Sequence, residues 1–391
     1  MKSEERKESK NNWAITPKNF GDFIAHTQAP QGKAERHEDG PKPYWTYSEQ
    51  TRNGQVSLVK STKDFMVQLD ATQVDFLCYY NTCLTQQIKD ITIIKNSDNP
   101  QELLGKIFSA TNILFDVKEF AIKTGKNEKQ ARKIVNSCLD VFEDRVYHWF
   151  AKVRDPKTHK FRFFPYETKL VIPHYEADGK TGRRIKNGGV ILEAPLAYLG
   201  ALAETGYFYY FPDWFYKIGG PNCQTEKHLA LRCIERYYQN KGKDGRGFFT
   251  LETAIKYSGL NSQRPVTIKR KDGTTYQATK KRSLKDNFLA FNKSLVVLIN
   301  GGGYDETETF YSMDPEGKER IYPKDIDYEK GPGFDIQNAY FFFRLVDIQN
   351  YKKIKAPKDQ KDPKQNQEPK MKKQEWAGGV SQGINPDEPE P

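Results

Sequence analysis

Residues 225–300 constrain the fold of this chain more than any other stretch. In order they read TEKHLALRCIERYYQNK, GRGFF, TLETAIKYSGL, a basic insert and SLKDNFLAFNKSLVVLIN. In the first segment Leu229, Ala230, Cys233, Ile234 and Tyr237 recur at helical spacing. Phe248 and Phe249 begin a glycine-bounded strand, and Leu251, Ala254, Ile255 and Leu260 give a short helix its apolar side. In the last segment Leu284, Phe288, Phe291, Leu295, Leu298 and Ile299 form one stripe of a long amphipathic helix, with Arg282, Lys285, Asp286, Asn292 and Lys293 off it. The insert PVTIKRKDGTTYQATKKR reads as a hairpin turning at Lys271-Asp272-Gly273. Beyond the long helix, ETETFYSMD and KERIYP supply a further hairpin, and NAYFFFRLVDI a closing strand packed on both faces.

Helix, strand, short helix, long helix and hairpin is the order of a winged-helix module, and the first half of the chain repeats it. Asp70 caps a helix with Gln73 at its third position, and Val74, Leu77, Cys78, Leu84 and Ile88 follow near helical spacing. ILFDV is a strand, and DVKEFAIKTGK a short helix ending at Gly125. Asn127 caps the next helix, with Gln130 three residues on and a stripe of Ala131, Val135, Cys138, Phe142, Val146 and Trp149. Two aromatic, basic strands follow around DPKTHK, and then a wing, LVIPHYEADGKTGRRIKNGGVIL. The predicted fold class is α+β: two tandem winged-helix domains with disordered N- and C-terminal extensions. Residues 1–62 are a polar arm, 63–192 the first winged helix, 193–350 the second, and 351–391 a Lys/Pro/Gln-rich tail. Between the modules, APLAYLGALAETGYFYYFPDWFYKIGG is aromatic and short of charge, which predicts a packed element instead of a tether.

Charge points to the partner. Sixty-two Lys and Arg against 51 Asp and Glu leave a net charge of +11. The excess is local: residues 118–189 hold 17 basic against nine acidic residues, and 261–300 hold nine against two. An anionic partner follows, and nucleic acid is the commonest one. A helix laid in the major groove reads base edges through its exposed N-terminal residues while basic flanks hold phosphates. In the first module the candidates are Lys126, Lys129, Gln130, Arg132, Lys133 and Asn136, with Arg183, Arg184 and Lys186 on the wing. In the second they are Lys280, Lys281, Arg282, Lys285, Asp286 and Lys293. The Gln130 and Asn136 amides can pair with adenine and the arginines with guanine; Gln130 is also the capping partner of Asn127.

Catalysis has no visible constellation. The six histidines are scattered without a His-x-His pair, as a metal-dependent nicking nuclease needs, and no GxxxxGK[ST] loop is present. No CxxC pair occurs among Cys78, Cys83, Cys138, Cys223 and Cys233, so buried thiols in a reducing compartment are expected, without zinc or disulfides. No apolar run reaches membrane-spanning length, and MKSEERKESKNN has no apolar core of a secretory signal. The expectation is a cytoplasmic protein that is not an enzyme and needs no cofactor.

The order of elements resembles the iteron-binding plasmid replication initiators, a family of tandem winged-helix proteins. The likeness spans residues 65–345 and is strongest from VILEAPLAYLG to TAIKYSGL, through Leu231, Arg232, Arg236, Tyr237, Tyr238, Phe249, Leu251 and Gly259. The insert before the long helix and the polar extensions depart from the pattern. The resemblance implies a double-stranded DNA-binding protein that recognises direct repeats at an origin, promotes its opening and represses its own promoter as a dimer, with host replication proteins as further partners. A winged-helix transcription regulator and a protein-interaction factor are the alternatives.

Overall fold

The computed structural model describes residues 12–17, 34–50, 56–63, 69–87, 112–154, 158, 161–173, 189–220, 223–239, 245–260, 263–270 and 273–349. Within residues 1–62, read from the sequence as a largely disordered arm, the described residues are ordered. They contain four strands: β1 (Trp13–Pro17), β2 (Glu35–His37), β3 (Tyr44–Gln50) and β4 (Val56–Ser61). Strands β2, β3 and β4 pair in sequence order, but β1 and β4 also find partners far along the chain, at 206–210 and 146–148, which local periodicity does not show. Residues 351–391 lie outside the described residues.

Asp70 starts α1 (Ala71–Gln87) as its spacing predicts: its carboxylate accepts from the Thr72 and Gln73 amides, while Gln73 accepts from the Asp70 amide. Then come β5 (Asn112–Asp116), α2 (Val117–Thr124) and α3 (Glu128–Asp144). Gly125 closes α2 in the left-handed region at φ 65°, where a side chain is strained, and Asn127 opens α3 with a reciprocal capping box to Gln130. Strands β6 (Val146–Arg154) and β7 (Phe161–Thr168) pair as the predicted hairpin. They are not part of the wing, because β6 also pairs with β4, giving an antiparallel sheet ordered β2-β3-β4-β6-β7. The wing proper is β8 (Ile172–Pro173) and β9 (Gly189–Glu193), in a sheet ordered β5-β9-β8.

The linker is packed, as its composition predicts: α4 (Leu196–Thr205), β10 (Gly206–Tyr210) and α5 (Asp213–Tyr216), with Tyr198, Leu199, Tyr209, Phe211 and Phe215 all buried. Strand β10 pairs with β1, whose Trp13, Ala14 and Ile15 are buried. The second module is α6 (Cys223–Gln239), β11 (Arg246–Thr250), α7 (Leu251–Tyr257), the hairpin β12 (Gln263–Lys269) and β13 (Thr275–Lys281), α8 (Leu284–Asn300), β14 (Phe310–Ser312) and β15 (Tyr340–Arg344). Its sheet runs β11-β15-β14, the same first-third-second order as β5-β9-β8. Both modules are therefore winged helices by connectivity and by sheet order.

Helices α1 and α6, the first of each module, pack against one another. Their contact is unusually polar for a core. Lys227 Nζ lies 2.7 Å from Asp75 Oδ1, both side chains buried, and also donates to the Phe215 carbonyl. Burial pushes the Asp75 carboxyl up to about 6, against the pull of Lys227. Next in sequence, buried His228 donates Nε2–H to the Leu69 carbonyl at 2.9 Å. The linker joins in through Tyr198, whose hydroxyl donates to Asn81 Oδ1 at 2.9 Å, and Trp214, whose indole donates to the Val346 carbonyl at 2.8 Å. A Cβ on Gly303 would stand 2.9 Å from the Trp214 ring, so that contact requires glycine. The two modules are held in one orientation.

Burial lowers the His228 pKa to about 4, with the Leu69 hydrogen bond opposing. The unfolded chain takes up that proton near pH 6.5 and the folded chain only near 4, so stability present above pH 6.5 is lost as pH falls through this window. The contribution is about 3 kcal/mol. Asp75 works the other way, its raised pKa favouring the folded state as pH falls below 6. The two are separated by His228→Gln, which keeps a donor for Leu69. The melting temperature of the native chain, relative to that variant, is expected to drop by roughly 5 °C between pH 7 and 4.5. A constant difference would contradict a neutral, buried His228.

Candidate nucleic-acid interface

The third helices of the two modules carry eight of the fifteen sequence-derived candidates, seven of them exposed. In α3, Ala131, Val135, Cys138, Leu139 and Phe142 are buried, which turns Lys129, Gln130, Arg132 and Lys133 outward. Lys126 is exposed in the turn before α3, and Asn136 is half-buried. The short turn between α2 and α3, with Gly125 in it, makes a helix-turn-helix. These side chains are not equivalent. Arg132 is committed to Glu128 one turn back, its Nε 3.1 Å from the carboxylate, and this hydrogen bond holds the Glu128 carboxyl below its usual range. Gln130 spends its Oε1 on the Asn127 amide at 3.3 Å. Lys129 and Lys133, at i and i+4 on one exposed stripe, form no ion pair with a described residue and are the cations of α3 best placed for a phosphate.

In the second module Lys285, Asp286 and Lys293 are exposed on α8, and Arg282 is half-buried just before it. Asp286 is a capping residue: its carboxylate accepts from the Ser283 amide at 3.3 Å, while its own amide donates to Ser283 Oγ at 3.0 Å. A carboxylate there repels phosphate, so its role is local. Lys285 leans on the turn at 327–331 and donates to the Lys330 carbonyl at 3.3 Å. Lys293 on α8 and Arg282 just before it form no ion pair with a described residue. Lys280 and Lys281 end β13, opposite Arg264 and Gln263 respectively. At the other end of the hairpin Lys269 and Arg270 are exposed. Sequence reasoning left them out, although the KRKDG turn was its own signal for them. The proposed wing residues Arg183, Arg184 and Lys186 lie outside the described residues.

Asn292, read from the sequence as off the core stripe of α8, is fully buried. The long connection between β14 and β15 folds back on α8 and covers it. The Asn292 amide donates to the Pro323 carbonyl at 3.0 Å and to the Tyr328 hydroxyl at 3.2 Å, and its oxygen accepts from Tyr311 at 2.8 Å. Phe334 packs edge-on to Phe288 in the same layer. Asn292→Leu strands the Tyr311 hydroxyl and the Pro323 carbonyl and is expected to cost about 1–3 kcal/mol in chemical denaturation; an unchanged midpoint would rule out this anchoring role.

Among the described residues no group of three or more His, Cys, Asp or Glu could hold a metal ion, and no helix is long and apolar enough to cross a membrane. Burial pushes the Cys83 and Cys233 thiols up to about 12, leaving them protonated and inert.

Fold and surface together define a tandem winged-helix protein. Neither a protein-family model nor the sequence of a curated protein matches this chain. Among solved structures, the chain is similar to domains 2 and 3 of RctB, with a TM-score of 0.41 and 12% identity over 84% of this chain and 98% of that one. It is also similar to the Pi initiator protein in complex with iteron DNA, with a TM-score of 0.35 and 10% identity over 71% and 94%. At these values the winged-helix assignment stands on the connectivity and sheet order of the chain itself.

Proposed function

We propose that this protein binds double-stranded DNA through both winged helices and acts as a replication initiator at repeated origin sites. The observation that supports this best is the duplication: two third helices, each with exposed lysines that form no ion pair with a described acidic residue, on modules packed together through α1 and α6. One chain then covers two successive major-groove faces about one helical turn apart. Lys129 and Lys133 in the first module, and Arg282 and Lys293 in the second, hold phosphates. The β12–β13 hairpin, which immediately precedes α8 in the chain, adds the exposed Lys269 and Arg270 and ends in Lys280 and Lys281. The assignment to initiation, with origin opening, a homodimer and host replication proteins, rests on the resemblance in the order of elements.

Footprinting on the DNA flanking the gene tests the reading. Protection of tandem repeats spaced by about two helical turns is the expected result. Protection of a single promoter site favours the transcription regulator, and no protection at any salt concentration would leave a protein-interaction role. The binding role is non-catalytic, so supercoiled DNA incubated with the protein and Mg²⁺ is expected to stay uncut.

A further inference from the structure

The sheet of the second module, ordered β11-β15-β14, is covered at one edge and open at the other. Beyond β14, Tyr311 exchanges both backbone hydrogen bonds with Ile321 at 2.8 Å. Beyond β11 no strand pairs among the described residues. The Gly245 carbonyl accepts from the Leu345 amide, and the Leu251 amide donates to the Ala339 carbonyl, so the odd-numbered residues of β11 bond to β15. In an antiparallel ladder the alternate residues turn their N–H and C=O groups the other way. The backbone groups of Arg246, Phe248 and Thr250 therefore point off the sheet. Such an edge is a template for a further strand unless something covers it.

The two faces beside this edge differ. On one, the Phe248 ring stacks on Phe342 at 5.5 Å, and Phe342 on Phe310 at 5.1 Å; Phe248, 41% exposed, ends the row at the edge. On the other, a cavity of about 350 Å³ opens between the C-terminal half of α6, β11 and α7. Arg232 and Glu235 there are a matched, buried pair at 2.6 Å. The Arg236 guanidinium sits over the Phe249 ring at 5.6 Å, and its Nε is shielded from solvent without a hydrogen-bond partner among the described residues. Arg236 thus leaves the charged groups lining the cavity with one net positive charge. A strand added to β11 alternates its side chains between the two faces, one towards Arg236 and its neighbours beside Phe248. We propose that the β11 edge binds an extended peptide of a partner protein by strand addition, with an acidic side chain on Arg236 and apolar or aromatic neighbours continuing the Phe248 row. Main-chain hydrogen bonds supply the affinity, and the two faces supply the specificity, the guanidinium–carboxylate pair above all.

The test titrates the full chain by calorimetry with the capped peptide Ser-Val-Phe-Glu-Phe-Val-Ser, whose Glu falls on one face of a strand and both Phe on the other. Saturable binding is the expected result. It should weaken roughly tenfold or more when the peptide Glu is replaced by Gln or when the chain carries Arg236→Gln, with little further loss when both are changed. N-methylation of the two Phe amides blocks antiparallel addition, and N-methylation of the Glu and Val amides blocks parallel addition, so one of these peptides should not bind. On the chain, Thr250→Pro removes an outward N–H at a φ of −62° that proline accepts, whereas Thr250→Ala keeps it. Only the proline variant should lose binding, after thermal melting confirms that all variants fold. Duplex retention is measured in parallel and should be unchanged in every variant, so failure here is distinct from failure of the duplex reading. No peptide binding overturns the proposal, and so does binding that survives both N-methylated forms, that Arg236→Gln leaves intact, or that is equal in the two Thr250 variants. Binding of the oligonucleotide dT8 without the peptide would assign Arg236 to a nucleic-acid phosphate and overturn it as well.

Discussion

Replacing Lys227 by Met is expected to destabilise the chain by about 3–5 kcal/mol at pH 7.5, because it leaves the Asp75 carboxylate buried without its cation. The pair spans the two winged helices at 2.7 Å, with Lys227 fully buried and Asp75 4% exposed, so water cannot replace the lost partner. The loss should be smaller at pH 5. Burial already raises the Asp75 carboxyl to about 6 in the presence of Lys227, and removal of that charge raises it further. A carboxyl with a raised folded-state pKa regains stability as pH falls through that value toward its unfolded value, so acid relieves the variant. Pairing Lys227→Met with Asp75→Leu should recover most of the loss, since well-packed apolar residues commonly replace a buried ion pair at little cost. Denaturant midpoints of the three variants check this. A Lys227→Met midpoint within about 1 kcal/mol of the native one would mean that the pair does not hold the modules together.

The second large effect is on binding. Lys129→Glu with Lys133→Glu on α3, and separately Arg282→Glu with Lys293→Glu around α8, are each expected to weaken duplex binding at least a hundredfold near 100 mM salt and to lower the salt slope by roughly two. None of the four sits in a core cluster, so the folds should survive. If both modules grip the duplex, each pair matters alone. A full effect from one pair and none from the other would reduce the site to one module. By contrast, reversal of Arg132, held by Glu128, should cost less than reversal of Lys133. That ranking cannot be drawn from the sequence, where the two residues are adjacent cations.

What could be read from the chain alone followed physical range. The caps at Asp70 and Asn127 and the left-handed Gly125 depend on residues within one turn, and each was visible as a local pattern. The apolar stripes of α3 and α8 were equally plain. The strands of residues 13–61 were not, because β1 finds its partner at 206–210 and β4 at 146–148, across most of the first module. Asn292 looked like a surface residue because the segment that buries it returns from the wing some thirty residues later. Among site residues, sequence marked the charges but not their commitments. Arg132, Gln130, Asp286 and Lys285 each turned out to serve a neighbour, and the structure transfers weight to Lys129, Lys133, Arg282 and Lys293. The buried Asp75–Lys227 pair had no sequence signal, since each partner sits singly on its own helix.

The claim that this is a two-module duplex-binding protein is tested most directly by the salt dependence of its affinity for DNA from the region flanking its gene. With roughly six to ten phosphates engaged, affinity should fall by about 10³–10⁵ between 50 and 200 mM salt. An affinity that stays flat over that range would contradict the account.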